Sequence, residues 1–397
     1  MLELNKLMAL SESSGGFTGG SYVDELPDMS LDEAVNMLPV IIVESQIELT
    51  DSRMHHNNLL VEATVSAAAM GTEPDFGPIV EMSFEDIKKK IKAFFDKIIK
   101  FLKSIINKLS LQIDKMRMSG HQLYEKYKDS KLLQGKSFKD LTFNGYKIMG
   151  KDDIFADTKK FESEPGIREL IKKAIPGCVD YDEFGKTYKA GIAVDSKAEN
   201  PLVKATEKLS GITQADRQVA MAKLLTGEKS LTAGDWEGAI KKKLYGEKVD
   251  IAYGKDGFTL DALAAMLKDP ADLNAIKEAY ARVEKAAHEF HDKIQRAIDD
   301  LSSQSDKLES AKGDNSAKTN RNSLVSSYYS AYMGVVSDSY AVINKVQSLK
   351  YNFQKTRYDQ AKQMFGKMLS WKSEKKDNND ASDVDDDGEI EAMTFMI

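Results

Sequence analysis

A single cysteine, Cys178, in 397 residues excludes an internal disulfide framework. No histidine lies near it in sequence, so it is expected to be a small buried apolar residue rather than a reactive thiol. Long hydrophobic runs are also missing. Leu38–Val43 is among the longest and falls far short of the ~18 residues a membrane-spanning helix needs. The first twenty residues carry Glu3 and no basic stretch ahead of an apolar core, so no secretory signal is expected. There is no phosphate loop, no G-x-G-x-x-G after a strand and no G-x-S-x-G. No catalytic centre and no cofactor are expected.

Charge is present in quantity and unevenly placed. Residues 1–82 carry fourteen acidic side chains and two basic ones, Lys6 and Arg53, a net of −12. Residues 373–397 carry nine acidic and two basic, a net of −7. The whole chain sums to −7, which leaves +12 on residues 83–372. A basic body therefore lies between two acidic ends, a layout that masks a basic surface or sheds what masks it.

Five regions follow. Residues 1–82 are an acidic leader, flexible over 11–30, with a capping box at Ser30 and Glu33 and a second helix expected over Gln46–Met70. Residues 83–135 hold a lysine-rich amphipathic helix. Ser83 and Asp86 form its capping box. Apolar residues recur every three or four positions from Phe84 through Ile87, Ile91, Phe94 and Ile98 to Ile113. The helix should reach about Lys128, with Gly120 the expected break. Residues 136–256 read as a small α+β domain. A hairpin is expected around Asn144-Gly145, strands over Tyr188–Val194 and Lys248–Tyr253, and helices over Ile167–Ile175, Ala198–Leu225 and Trp236–Leu244. Residues 257–372 read as helical, with Leu260–Leu267 followed by a long antiparallel pair, Leu273 to about Lys312 and Ser323 to about Trp371. Residues 373–397 are an acidic tail. The fold class is thus mainly α, long amphipathic helices with a small α+β domain inserted in the middle.

Two patterns suggest metal ligands and fall short. Asp383, Asp385 and Asp387 begin a calcium-loop spacing with Gly388, yet position twelve is Thr394 where a bidentate Glu belongs. Glu284, His288 and His291 share a helix face, but a site needs further ligands from elsewhere. No metal site is expected.

Three triplets in the leader share a form. Ile42-Val43-Glu44, Leu60-Val61-Glu62 and Ile79-Val80-Glu81 each read Leu/Ile-Val-Glu, and Leu31-Asp32-Glu33 fits the looser Leu/Ile-x-Glu. The last Val-Glu lies at the switch from acidic to basic sequence. The pattern is similar to the recognition sites of the prohead proteases of large tailed bacteriophages. The order of parts over roughly 30–150, an acidic leader, a Lys/Phe/Ile-rich helix and a segment like Phe138–Lys147, resembles internal virion proteins of such phages. The resemblance implies a non-enzymatic, capsid-internal structural protein, made in the host cytoplasm, cut after Glu44, Glu62 or Glu81, and left in the virion against packaged DNA.

The residues expected to meet DNA phosphates are Lys88, Lys89, Lys90, Lys92, Lys97, Lys100, Lys103 and Lys108. The same helix suits an anionic membrane surface. The alternative is therefore a membrane-active toxin or pore-former held inactive by its leader. Expected partners are other virion proteins, DNA through non-specific phosphate contacts, an anionic membrane surface, and further copies of the chain. An enzyme with dispersed residues would instead gather Glu284, His288, His291 and carboxylates of 136–256 in one cleft.

Overall fold

The lysine-rich segment forms one unbroken helix, α1 (Phe84–Lys128), about 68 Å long at 1.5 Å per residue. Its start is set locally. The Asp86 N–H donates to Ser83 Oγ at 3.1 Å and the Ser83 N–H donates back to Asp86 Oδ2 at 3.2 Å. This satisfies two of the amides that a helix N-terminus leaves without partners. The computed structural model describes residues 83–128, 142–143, 158–189, 201–245, 258–312 and 315–377.

The remaining helices are α2 (Glu164–Ala174), α3 (Tyr181–Lys189), α4 (Pro201–Ser210), α5 (Gln214–Thr226), α6 (Trp236–Tyr245), α7 (Leu260–Lys268), α8 (Ala271–Lys312) and α9 (Asn315–Asp377). A 3₁₀ turn, Thr158–Phe161, leads into α2. Strands β1 (Thr142–Phe143) and β2 (Phe258–Thr259) make an antiparallel bridge, Thr142 opposite Thr259 and Phe143 opposite Phe258.

The molecule is mainly α, and the described residues do not support the inserted α+β domain. Every other element between 136 and 256 among the described residues is helical. Tyr188 and Lys189 close α3 rather than open a strand. Thr142 and Phe143 pair with residues more than a hundred positions away, not across a local turn. The rest of the expected hairpin, residues 190–194 and Lys248–Tyr253 lie outside the described residues. The helix expected over Ala198–Leu225 is two. Gly211 to Thr213 interrupt it, and Thr213 caps α5 by accepting the Asp216 N–H at 3.2 Å. A fresh N-cap costs less than continuing a helix through Gly and two β-branched residues.

Packing arranges these helices around two long seams. α1 lies antiparallel on α8. Lys88 bonds Asp299 at 2.7 Å and Lys103 faces Glu284 at 3.7 Å, so fifteen residues forward along α1 match fifteen backward along α8. Between those pairs Phe95 stacks on Phe290 at 6.2 Å. The stripe from Phe84 to Ile113 is buried throughout, together with Phe95, Ile99 and Leu102. Each fully buried side chain of this size contributes roughly 1.5–3 kcal/mol.

α8 and α9 form the expected antiparallel pair, joined by the Tyr280–Asn344 and Arg357–Asp272 hydrogen bonds. Helix α9 also runs beside the second half of α1, where Tyr358 donates to the Met116 carbonyl at 2.6 Å and Lys362 to Ser119 Oγ at 2.6 Å. Gly120 does not break α1. It sits in this crossing, where a Cβ would fall 2.2 Å from the Leu267 carbonyl oxygen and 2.7 Å from the Tyr358 hydroxyl. The glycine is a packing requirement.

One apolar core runs through all nine described helices, α1 to α9. Helix α9 is its axis. Residues 335–343 are buried on every side, and α1, α2, α4, α5, α7 and α8 all pack against it.

Candidate nucleic-acid interface

The face of α1 opposite its stripe carries the lysines. Residues 83–128 hold twelve basic and five acidic side chains, a net of +7. Lys89, Lys92, Lys100 and Lys103 are exposed, and Lys88, Lys90, Lys97 and Lys108 are half-buried. The eight do not form a uniform cationic strip. Lys88 is tied to Asp299 and to Glu85, and the Asp299 hydrogen bond raises its pKa above the ordinary lysine value. Lys103 faces Glu284 and Lys89 lies 4.0 Å from Asp86. Burial pulls the Lys90 ammonium down, with Asp86 opposing. Lys92 projects with no carboxylate partner among the described residues. The seam with α8 and the acids at the helix start therefore take up part of the positive charge, and Lys92 is left outward.

The cleavage candidates Glu44, Glu62 and Glu81 lie outside the described residues. Glu81 precedes Ser83 by two positions, so a chain starting at Met82 retains the whole capping box.

Among the described residues, Glu284, His288 and His291 meet neighbours on α8 and α1 rather than carboxylates of 136–256. Glu284 and His288 are partners on α8, 3.4 Å apart, and Glu284 also meets Lys103. His291 packs edge-on against Phe95 and meets its neighbour Asp292 at 3.3 Å. Among the described residues no group of His, Cys, Asp and Glu could hold a metal ion. Asp383, Asp385 and Asp387 lie outside the described residues. Cys178 is buried as expected, and burial pushes its thiol up to about 12, so it stays protonated at neutral pH.

Three buried carboxylates between α2, α3 and α8 have no counterpart among the expected site residues. Glu162 accepts from Arg282 at 2.7 and 2.8 Å and from Gln347 at 2.9 Å. Glu164 accepts from Tyr181 at 2.8 Å and is bound by Lys293. Asp180 accepts from Arg168 at 2.7 Å, from Lys172 at 2.9 Å and from the Glu183 N–H at 3.0 Å. Burial alone would raise the pKa of Asp180. The Glu183 amide, Lys172 and Arg168 more than offset it, and the carboxyl lies below its ordinary value. Every one of these acids is matched by cations, so the cluster clamps α2 and α3 onto α8 and α9. One readable signal marked it: Asp180-x-x-Glu183 has the spacing of an N-cap.

A second buried clamp holds α5 to α9. Asp338 accepts from Arg217 at 2.7 Å, Gln214 at 3.0 Å and Gln218 at 3.2 Å. Here burial outweighs Arg217 and the two amides, and the Asp338 pKa is raised.

Among the described residues no helix is long and apolar enough to cross a membrane. No family model matches the chain, and no curated protein or solved structure matches it.

Proposed function

We propose that the chain is a non-enzymatic structural protein of a bacteriophage virion. It sits inside the capsid, and its basic α1 face contacts packaged DNA once the acidic leader is cut away after Glu81. The observation that carries this reading is the division of α1. Its Phe/Ile stripe is committed to α8, α7 and α9, while Lys89, Lys92, Lys100 and Lys103 stand on the opposite, exposed side. A long helix with cations outward favours a polyanion, each neutralised phosphate adding a salt-dependent gain. Removal of residues 1–81 takes away −12 and leaves the cap at Ser83 whole. The segmental charge and the three Val-Glu triplets support processing.

The membrane-active alternative needs the same stripe in lipid. In this conformation the stripe is occupied, so α1 would first have to leave α8 and expose Phe94, Phe95, Ile98 and Phe101, all nearly fully buried. Nothing in the arrangement favours that step.

N-terminal sequencing and intact mass of the protein from its native particle test the proposal, paired with DNA binding by residues 1–397 and 82–397. A start at Met82, and tighter, steeply salt-dependent binding by the shorter chain, is the expected result. An intact Met1 together with equal binding by both chains would overturn it.

A further inference from the structure

We propose that an open pocket between α3 and α8 binds a phosphate dianion, free or carried on a small organic group. This site is separate from the α1 face and independent of the function proposed above. The pocket has a volume of about 380 Å³, within the range of small-molecule sites. Arg168, Lys186, Lys189, Lys293 and Arg296 line it, against two carboxylates, Asp182 and Asp300.

Pairing decides which of these cations are available. Arg168 is held by Asp180 and Asp182, Lys189 by Asp300, and Lys293 by buried Glu164. Lys186 on α3 and Arg296 on α8 are exposed and have no carboxylate partner among the described residues. Two uncommitted cations on facing helices suit a phosphomonoester, which carries nearly two negative charges at neutral pH. Arginine adds a fork that fits phosphate oxygens. The paired cations are neutralised by their own carboxylates, so the positive charge offered to a ligand is that of Lys186 and Arg296.

The pocket is also kept open. Gly185 lies inside α3, where glycine is less stable than alanine. A Cβ at Gly185 would meet nothing within 4 Å, so neither close packing nor a left-handed backbone requires glycine there. Its effect is to leave room in the pocket wall. Ala297 and Leu301 from α8, with Tyr181 from α3, supply an apolar lining for whatever carries the phosphate.

Calorimetric titration of the full chain with thymidine 5′-monophosphate, inorganic phosphate and thymidine tests this. The monophosphate should bind with a Kd below about 1 mM, and thymidine should not. The K186Q/R296Q double variant should weaken binding at least about tenfold, the loss of one to two charge-assisted hydrogen bonds. G185L should abolish binding by filling the wall, and G185A should raise Tm. Inorganic phosphate binding as tightly as the monophosphate would identify the free ion as the occupant; tighter monophosphate would identify an organic phosphate. No saturable binding of either, or unchanged affinity in K186Q/R296Q, would overturn the proposal. So would displacement of the monophosphate by duplex DNA with equal loss at α1 lysine variants. Because Lys186 and Arg296 are exposed, the double variant decides the matter even if G185L does not fold.

Discussion

Helices α1 and α9 are both long, both rich in aromatic and aliphatic residues, and positioned in opposite ways. α1 is two-sided: an apolar stripe meets α8 and a lysine face is left outward. α9 is surrounded. Between Tyr328 and Gln354 it buries Ser337, Asp338, Ser339, Asn344, Gln347 and Ser348 along with its apolar residues. A helix with one covered face has a surface to offer a partner. A stretch covered all round has none, and a charged group there needs partners from the neighbouring helices, as Asp338 finds in Arg217, Gln214 and Gln218. The difference leaves α1 with an open face and makes α9 the helix that most others pack against.

The comparison breaks most readily at Asp338. Removing its carboxylate leaves Arg217, Gln214 and Gln218 without their shared acceptor. Asp338→Ala should cost about 3–5 kcal/mol, as for other buried ion pairs that lose one member, read as a fall in the urea midpoint. An unchanged midpoint would show that α9 is not held this way. Next comes the α1 seam. Ile98 is 1 % exposed, and Ile98→Ala should cost about 2–5 kcal/mol through lost burial and a cavity. If the seam is the weaker attachment, this variant should also speed hydrogen exchange in α1 ahead of α9.

A smaller effect is expected at the cap. Ser83→Ala should cost about 1 kcal/mol at neutral pH. The Ser83 hydrogen bond, against some burial, lowers the pKa of Asp86. A carboxyl lowered in the folded state stabilises above its unfolded pKa, about 4, and loses that contribution as pH falls through the folded value. The cost of Ser83→Ala should therefore shrink below pH 4, and a cost constant from pH 7 to pH 3 would remove Asp86 from the cap. The smallest stability change belongs to the outer face. Lys92→Gln should stay within about 0.5 kcal/mol. The same change should reduce the salt dependence of DNA binding by about one phosphate. An unchanged slope would take Lys92 out of the interface.

Much of α1 was legible without coordinates. Its cap, its length to Lys128 and its stripe all depend on residues within a turn or two of one another. Gly120 was misread for the same reason: a local rule marks it as a weak point, and the reason for it lies in Leu267 and Tyr358, far along the chain. The α+β reading failed where short β-rich runs such as the one beginning at Tyr188 were judged by propensity alone. Burial of Tyr188 in α3 overrides that preference. The pairing of Glu162 and Glu164 was not legible because their cations, Arg282 and Lys293, come from more than a hundred residues away, whereas Asp180, with Arg168 and Lys172 close in sequence, showed its N-cap spacing.

The sequence by itself determined where α1 begins, which of its faces is apolar, and how charge is partitioned along the chain. Those properties rest on hydrogen bonds and side-chain spacing a few residues long. Only the tertiary structure decided that α9 is the axis, that acids deep in the core are matched by cations, and that Lys186 and Arg296 flank one pocket. Those outcomes depend on which helices meet, and a local pattern of spacing and propensity does not encode that choice.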